Sequence, residues 1–447
     1  MNEPRLSPAT LFPIEATIRD TLYDRIPLTG PERSLIGTTA FGRLERIQQL
    51  GFVSRVWPGA RHTRFEHSLG VMHLTRLAVD HLRGSSGGEG ISVDDARVAV
   101  AAALLHDIGH YPFSHAIEEL GHPIVPHEKV GRRIIEGPEI APILSDEWGI
   151  DPLRVAAFID PAGIDLPAPD RLLRGVLSGA LDMDKLDYLP RDARACNVPY
   201  GGVDTARLID ALSIADVGVA RSTNTRVVIG EKGISPLHSL INARQEMFDN
   251  VYWHHTNRAC MAMLLRATQD ALLGGSLDPT ELQNHDDASL LHRLGEANMP
   301  STSQRLAQAL RDRRIHKRTV EIGSRAFELY ARLGNLFFDP LARRDVEIKL
   351  SKALGKALGQ DVPPEAILID IPKPERWRTD VWVAFERPPI GFAPLMPWRD
   401  VVGFGDDDLK RYEEHRRLIR IVAAEPYREF MTSSWEQLLM PLLGAAI

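Results

Sequence analysis

Residues 93–115, VDDARVAVAAALLHDIGHYPFSH, decide the reading of this chain. The apolar run from Val98 to Leu105 is far short of the roughly 20 residues a membrane span needs and reads as part of a helix. Ser92, with Asp94 and Asp95 two and three residues on, supplies an approximate capping box at its start. Gly109 and Pro112 predict its end, which places His106 and Asp107 in the last turn. Carbonyls there lack intrahelical partners and carry the negative end of the helix dipole, so a cation is favoured. The plainer alternative is that His106 and Asp107 cap the helix and bond each other.

Two further segments offer the same chemistry. In RFEHSLGVMHLTRLAVDHL, 64–82, His67, Gly70, Val71, Leu74, Leu77 and Ala78 recur at three and four residues and define one inward stripe of a helix. In DRLLRGVLSGALDMDKLDYL, 170–189, a single helix would align Leu173, Leu177, Leu181 and Asp184. Burying a carboxylate costs several kcal/mol unless a cation or donor compensates it, so Asp184 implies a partner more than Asp182 or Asp187 does. His67, His106, Asp107 and Asp184 together make two imidazoles and two carboxylates, a mixed set that suits manganese, iron or zinc, with magnesium an option. Four protein ligands leave room for water and substrate on a six-coordinate ion. No HExxH and no Walker A loop is present.

The rest of the composition narrows the class. Of 447 residues, 44% are hydrophobic and 25% charged, the balance of a folded protein with a substantial core. The 53 basic and 60 acidic residues give a net charge of -7, so any anion site must be built locally rather than from a global basic field. Two cysteines, Cys196 and Cys260, cannot form a disulfide framework and fit a reducing compartment, with a cytoplasmic location expected. No leader and no membrane segment is read. Helical periodicity dominates from Thr38 to Leu272, broken at GSSGGEG, 84–90, and at a Pro-rich passage, 161–169. The β-branched RVVIG, AILIDIP and DVWVAF segments, near 226–230, 366–372 and 380–385, predict strands. The polar stretch 273–304 reads as an irregular boundary, and RDRRIHKR, 311–318, as a solvated helix face or a contact for a regulatory nucleotide or neighbouring subunit. The fold class expected is mainly α, with a smaller α+β C-terminal portion.

In order, HTRFEHSLGV, LLHDIGHYPFSH and LDMDKLDYLPRD resemble the HD-domain metal-dependent phosphohydrolases, and within them the deoxynucleoside triphosphate triphosphohydrolase (dNTPase) branch. The similarity runs from about Phe41 to Arg318, and the AILIDIP and DVWVAF pair extends it. It implies three parts: 1–272, a helical HD-domain lobe with the metal site; 273–345, a helical connection; and 346–447, a small α+β portion. One divalent metal would sit on His67, His106, Asp107 and Asp184, the set already reached from spacing.

The resemblance also implies roles residue by residue. His110 and His115 would face the phosphates, and in PHEKVG His127 would act in proton transfer with Glu128 orienting it. Arg64 and Lys185 would neutralise the triphosphate, Tyr188 and Asp192 would line the sugar pocket, and Arg244 and Tyr252 of RQEMFDNVY would close it. Gln49 and Leu50 of IQQLG match the position that contacts the deoxyribose. The implied substrate is a deoxynucleoside triphosphate (dNTP), and the implied assembly a homo-oligomer, dimer or tetramer. Glu45 stands where nucleotide-regulated members carry a basic residue, which counts against an activating-nucleotide site of that kind. Open alternatives are an HD phosphohydrolase acting on a monophosphate or a guanosine alarmone, and a non-catalytic nucleic-acid-binding protein, which the net charge disfavours.

Overall fold

The computed structural model describes residues 11–218, 224–373, 380–405 and 417–443. Helices dominate, and the nine strands described are β1 Ile14–Asp20, β2 Asp24–Thr29, β3 Leu212–Asp216, β4 Thr225–Gly230, β5 Lys317–Ile322, β6 Ile367–Asp370, β7 Trp382–Ala384, β8 Leu395–Pro397 and β9 Ile419–Ala423. They form a β1–β2 hairpin, a β3–β4–β7–β8 sheet in which β4 and β7 run parallel, and an antiparallel β5–β9–β6 sheet. The architecture is mainly α with a smaller α+β part. The β1–β2 hairpin and β3 lie outside the sequence reading; β1 is half solvated, and a two-stranded ribbon carries little apolar signal.

The Val93–Leu105 helix is the axis of the lobe, buried on all sides from Val98 onward. Apolar residues around the whole circumference require that. Its start is as expected, with the Asp95 N–H donating to Ser92 Oγ at 3.1 Å and the Ser92 N–H donating to Asp95 Oδ2 at 2.8 Å. It ends four residues before Gly109, with His106 as its C-cap. Tight turns replace the helical ladder there, Ile108 N–H bonding to Leu105 O and His110 N–H to Asp107 O. The Arg64–Arg83 helix packs against this axis, and the Met183–Cys196 helix packs against the Arg64–Arg83 helix.

The single helix expected over 170–189 is two. Ala168–Leu177 stops at Ser178, and a new helix starts at Met183 with Asp182 Oδ1 accepting from Lys185 N–H at 2.9 Å. A Ser-Gly-Ala link followed by a capping aspartate is a stop and a start, which periodicity alone overlooks. Asp184 therefore does not continue the Leu173–Leu177–Leu181 stripe; it lies in the first turn of its own helix. The stretch 273–304 is not irregular either. It forms a 3-10 turn, Pro279–Asn284, and the Asp287–Leu294 helix, with Leu277, Leu282, Leu290, Leu294 and Met299 buried. Residues 311–318 are not one helix face: the Ser301–Arg311 helix ends, Arg313 takes φ +58° and donates to Arg55 O at 2.6 Å, and β5 begins.

Three hydrophobic cores result, and their chain membership differs from a cut at 272 and 345. The first runs from Ile26 to Val251 but includes Val381, Val383, Phe385 and Trp398. The second joins the His255–Leu273 and Ser301–Arg311 helices to Phe52, Tyr111, Phe113 and Ile117 of the first lobe. The third lies around β6 and β9 and the Pro340–Leu358 and Arg428–Leu439 helices.

Candidate metal centre and active-site cavity

The potential ligands meet where three helix ends converge. The ligand atoms of His67, His106 and Asp184 lie within 4.8 Å of one another. His67 Nε2 is 3.0 Å from Asp184 Oδ1 and 3.7 Å from Asp107 Oδ2, and His106 Nε2 is 3.3 Å from Asp107 Oδ1. Each imidazole is aimed by its other nitrogen. His67 Nδ1 bonds Asp187 Oδ2 at 2.8 Å, and His106 Nδ1 donates to the Ala103 carbonyl at 2.8 Å, so both present Nε2 to the shared space. The fit to a cation rests on His106 Nε2, which is buried without a hydrogen-bond partner among the described residues, beside two carboxylates. Burial would raise the Asp107 pKa, but Arg64, His106 and His110 hold it well below the usual carboxylate range. Burial opposes a proton on His67, yet its bonds to Asp184 and Asp187 push it up to about 10.

Two glycines make this convergence sterically feasible. A Cβ on Gly70 would lie 1.9 Å from Asp187 Oδ1, so the Arg64–Arg83 and Met183–Cys196 helices meet there only with hydrogen in that place. A Cβ on Gly109 would lie 2.1 Å from His127 O, so the turn after Asp107 touches the His127–Ile135 helix. That contact brings His127 to the site.

A cavity of about 1310 Å³ opens in front of the ligands. It is lined by Gln49, Leu50, Arg64, His106, Asp107, His110, His115, His127, Glu128, Asp184, Lys185, Tyr188, Asp192, Arg244 and Tyr252, while His67 sits behind them. Inside it three imidazoles cluster: His110 stacks on His127 with centroids 3.8 Å apart, and His115 stands edge-on to both. His110 Nε2 lies 3.1 Å from Asp107 Oδ1, and burial first, then Arg64 and His127, keep its pKa well below the ordinary value, so this ring is neutral.

The carboxylate that orients His127 is Glu118. Its Oε1 accepts from His127 N–H at 2.6 Å and stands 2.9 Å from Nδ1, whereas Glu128 is 3.4 Å away and half-exposed. Burial works against a charged His127, but the bond to Glu118 outweighs it and raises the pKa. Glu118 also bonds His115 Nδ1 at 2.9 Å. The two cations expected to meet phosphate already have partners. Arg64 bonds Asp107 and Ser114 Oγ, and Lys185 Nζ is 2.5 Å from Asp182 Oδ2 and 3.1 Å from Gly179 O. Farther in, buried Asp192 lies 2.7 Å from His62 Nε2 and accepts from Tyr252 OH at 2.7 Å, and Arg244 lies over the Phe248 ring.

Sequence reasoning passed over Asp187 and Glu118. Asp187 is fully buried and also takes a bidentate pair from Arg191 and a bond from Tyr23 OH. Its signal was its place three residues after Asp184, on the same helix face. Glu118 was legible as the residue one helical turn after His115.

A family model described as HD domain matches residues 64–158, and one described as HD associated region matches 203–384. An uncharacterised protein of Methanocaldococcus jannaschii is 32% identical over 275 residues, 61% of this chain and 54% of the relative. A Dictyostelium discoideum protein named deoxynucleoside triphosphate triphosphohydrolase SAMHD1 homolog is 27% identical over 325 residues, 68% of this chain and 60% of the relative. The chain thus aligns with between half and two thirds of these relatives' lengths. A crystal structure of a hypothetical protein from Aquifex aeolicus shares the fold, with TM-score 0.70 and 24% identity, covering 94% of this chain and 99% of that one. Among the described residues no helix is long and apolar enough to cross a membrane. The HD-domain match followed by the HD-associated-region match, together with the curated relatives, supports a place in the HD phosphohydrolase family.

Proposed function

We propose that the protein hydrolyses deoxynucleoside triphosphates to deoxynucleoside and inorganic triphosphate, with water attacking the α-phosphorus. The observation that carries this is the single cavity along which His106, Asp107 and Asp184, backed by His67, the imidazole group and the Asp192–Tyr252 pair follow one another. The names borne by relatives such as the Dictyostelium protein support it. A divalent cation, manganese, iron, magnesium or zinc, held by those four residues would supply a Lewis acid for a phosphoryl oxygen and lower the pKa of water.

The protein's own groups divide the remaining work. Neutral His110 gives its ring hydrogen to Asp107, so its Nδ1 accepts a hydrogen bond from water. His127, kept protonated by Glu118, delivers its proton to the departing 5′ oxygen, and the solvent-facing His115 contacts the outer phosphates. Arg64 and Lys185 add positive charge at the phosphate end. Asp192 accepts a bond from a sugar hydroxyl between Tyr188 and Tyr252, with Gln49 and Leu50 against the ring and Arg244 closing the pocket. We include a soluble cytoplasmic location and homo-oligomeric assembly in the proposal.

The test is product analysis with the four dNTPs and GTP, manganese present, in 18O water. Equimolar deoxynucleoside and triphosphate, with the label in triphosphate and none formed by Asp107→Ala, is the expected result. Release of orthophosphate or pyrophosphate, or equal rates in the variant, would sink the assignment.

A further inference from the structure

Residues 285–287 lie outside the catalytic cluster and outside the 64–158 HD match, yet three hydrogen bonds tie them to the segments that carry the site's loops. Asp287, the first residue of the Asp287–Leu294 helix, is buried, and its two carboxylate oxygens go to two different loops. Oδ2 accepts from Gln48 N–H at 3.0 Å, next to Gln49 and Leu50. Oδ1 accepts from Phe113 N–H at 2.6 Å, between His110 and His115. Two residues earlier, the His285 carbonyl accepts from the buried Arg43 guanidinium at 3.1 Å, and the same guanidinium donates to Ile108 O at 3.2 Å and His110 O at 2.7 Å.

These bonds hold backbone that does not rest there by itself. Phe113 and Ser114 have φ of +57° and +58°, left-handed values that cost a side-chain-bearing residue roughly 1–2 kcal/mol each. The held turn points Ser114 Oγ at Gln48 O, 3.2 Å away, and at Arg64 Nε, 2.8 Å away, and Arg64 in turn bonds Asp107. Phe113 then stacks on Phe52, centroids 4.4 Å apart, locking the two loops face to face.

We propose that 285–287 is a clamp and that Asp287 is its positioning residue, setting the distance between the loop that carries Gln49 and Leu50 and the loop that carries His110 and His115. Through it, the helices of the associated region register the two walls of the cavity. The catalytic half of this proposal rests on the function proposed above; the structural half does not.

The full chain is compared as wild type, Asp287→Asn and Arg46→Ala. Asparagine keeps the shape and one acceptor but turns an amide toward one of the two N–H donors. Arg46→Ala removes only an exposed pair, 2.9 Å, to the neighbouring Asp286. In Asp287→Asn, amide exchange of peptides 44–52 and 108–116 should rise by about threefold or more, with 183–196 and the thermal midpoint unchanged. Arg46→Ala should match wild type throughout. Exchange unchanged in either loop, or raised across the molecule with a lowered midpoint, overturns the clamp. Against whichever phosphate ester the wild type turns over, Asp287→Asn should lower kcat about tenfold with KM within about twofold, because the reacting groups shift while binding groups persist. A fall confined to KM overturns the positioning role, and a wild type that hydrolyses no dNTP overturns the proposed function while the exchange arm still decides the clamp.

Discussion

At the residue scale, the chemistry depends on which nitrogen of each imidazole is tied. His67 and His106 are held by Nδ1 and His110 by Nε2, so neighbouring rings of one composition present different atoms to the cavity. Glu118 raises the pKa of His127 against the opposing effect of burial. The raised pKa keeps the proton to higher pH, so a rate that needs protonated His127 is present below that pKa and lost as pH rises through it. Glu118→Gln removes the stabilising charge. The basic limb of the pH–rate profile should then move to lower pH and the maximal rate fall by about tenfold, a general acid's share. A profile with its basic limb unmoved would exclude Glu118 from this role. The resemblance implied Glu128, but consecutive helical residues diverge by about 100°, and a residue nine positions earlier faces the ring instead.

At the element scale, close approach of helices decides whether the ligands meet. The Arg64–Arg83 and Met183–Cys196 helices touch at Gly70, where Asp187 reaches past to His67. Gly70→Ala should cost about 1–3 kcal/mol through overpacking. It should also lower bound manganese per chain by pushing Asp187 off His67. Calorimetric unfolding together with metal analysis checks both, and an alanine variant with wild-type stability and metal content would show that the contact is slack. The cap that begins the Val93–Leu105 helix was legible in sequence at Ser92. The break at 178–182 was not, because three leucines at four-residue spacing looked continuous until Asp182 was seen to cap a new start.

At the scale of the whole molecule, the HD lobe and the C-terminal sheet are joined by a buried charge cluster. Arg258 lies 3.0 Å from Glu119, beside the His115–Glu118 turn, and 2.6 Å from Asp370 of β6. Arg258→Met leaves two buried carboxylates short of a cation. It should lower unfolding stability by about 3–5 kcal/mol, read from urea denaturation. A loss under about 1 kcal/mol would mean that Arg420, 3.6 Å from Asp370, suffices.

Capping boxes, apolar periodicity and the His and Asp motifs are local properties, and from them the sequence by itself determined a mainly α chain, its long helices, three of the nine described strands and the residue types of a candidate metal centre. Tertiary structure alone decided which carboxylate serves which imidazole and which segments share a core. Those depend on distances between residues far apart in the chain, such as Asp287 to Phe113 or Val383 to the first lobe, which no local spacing encodes.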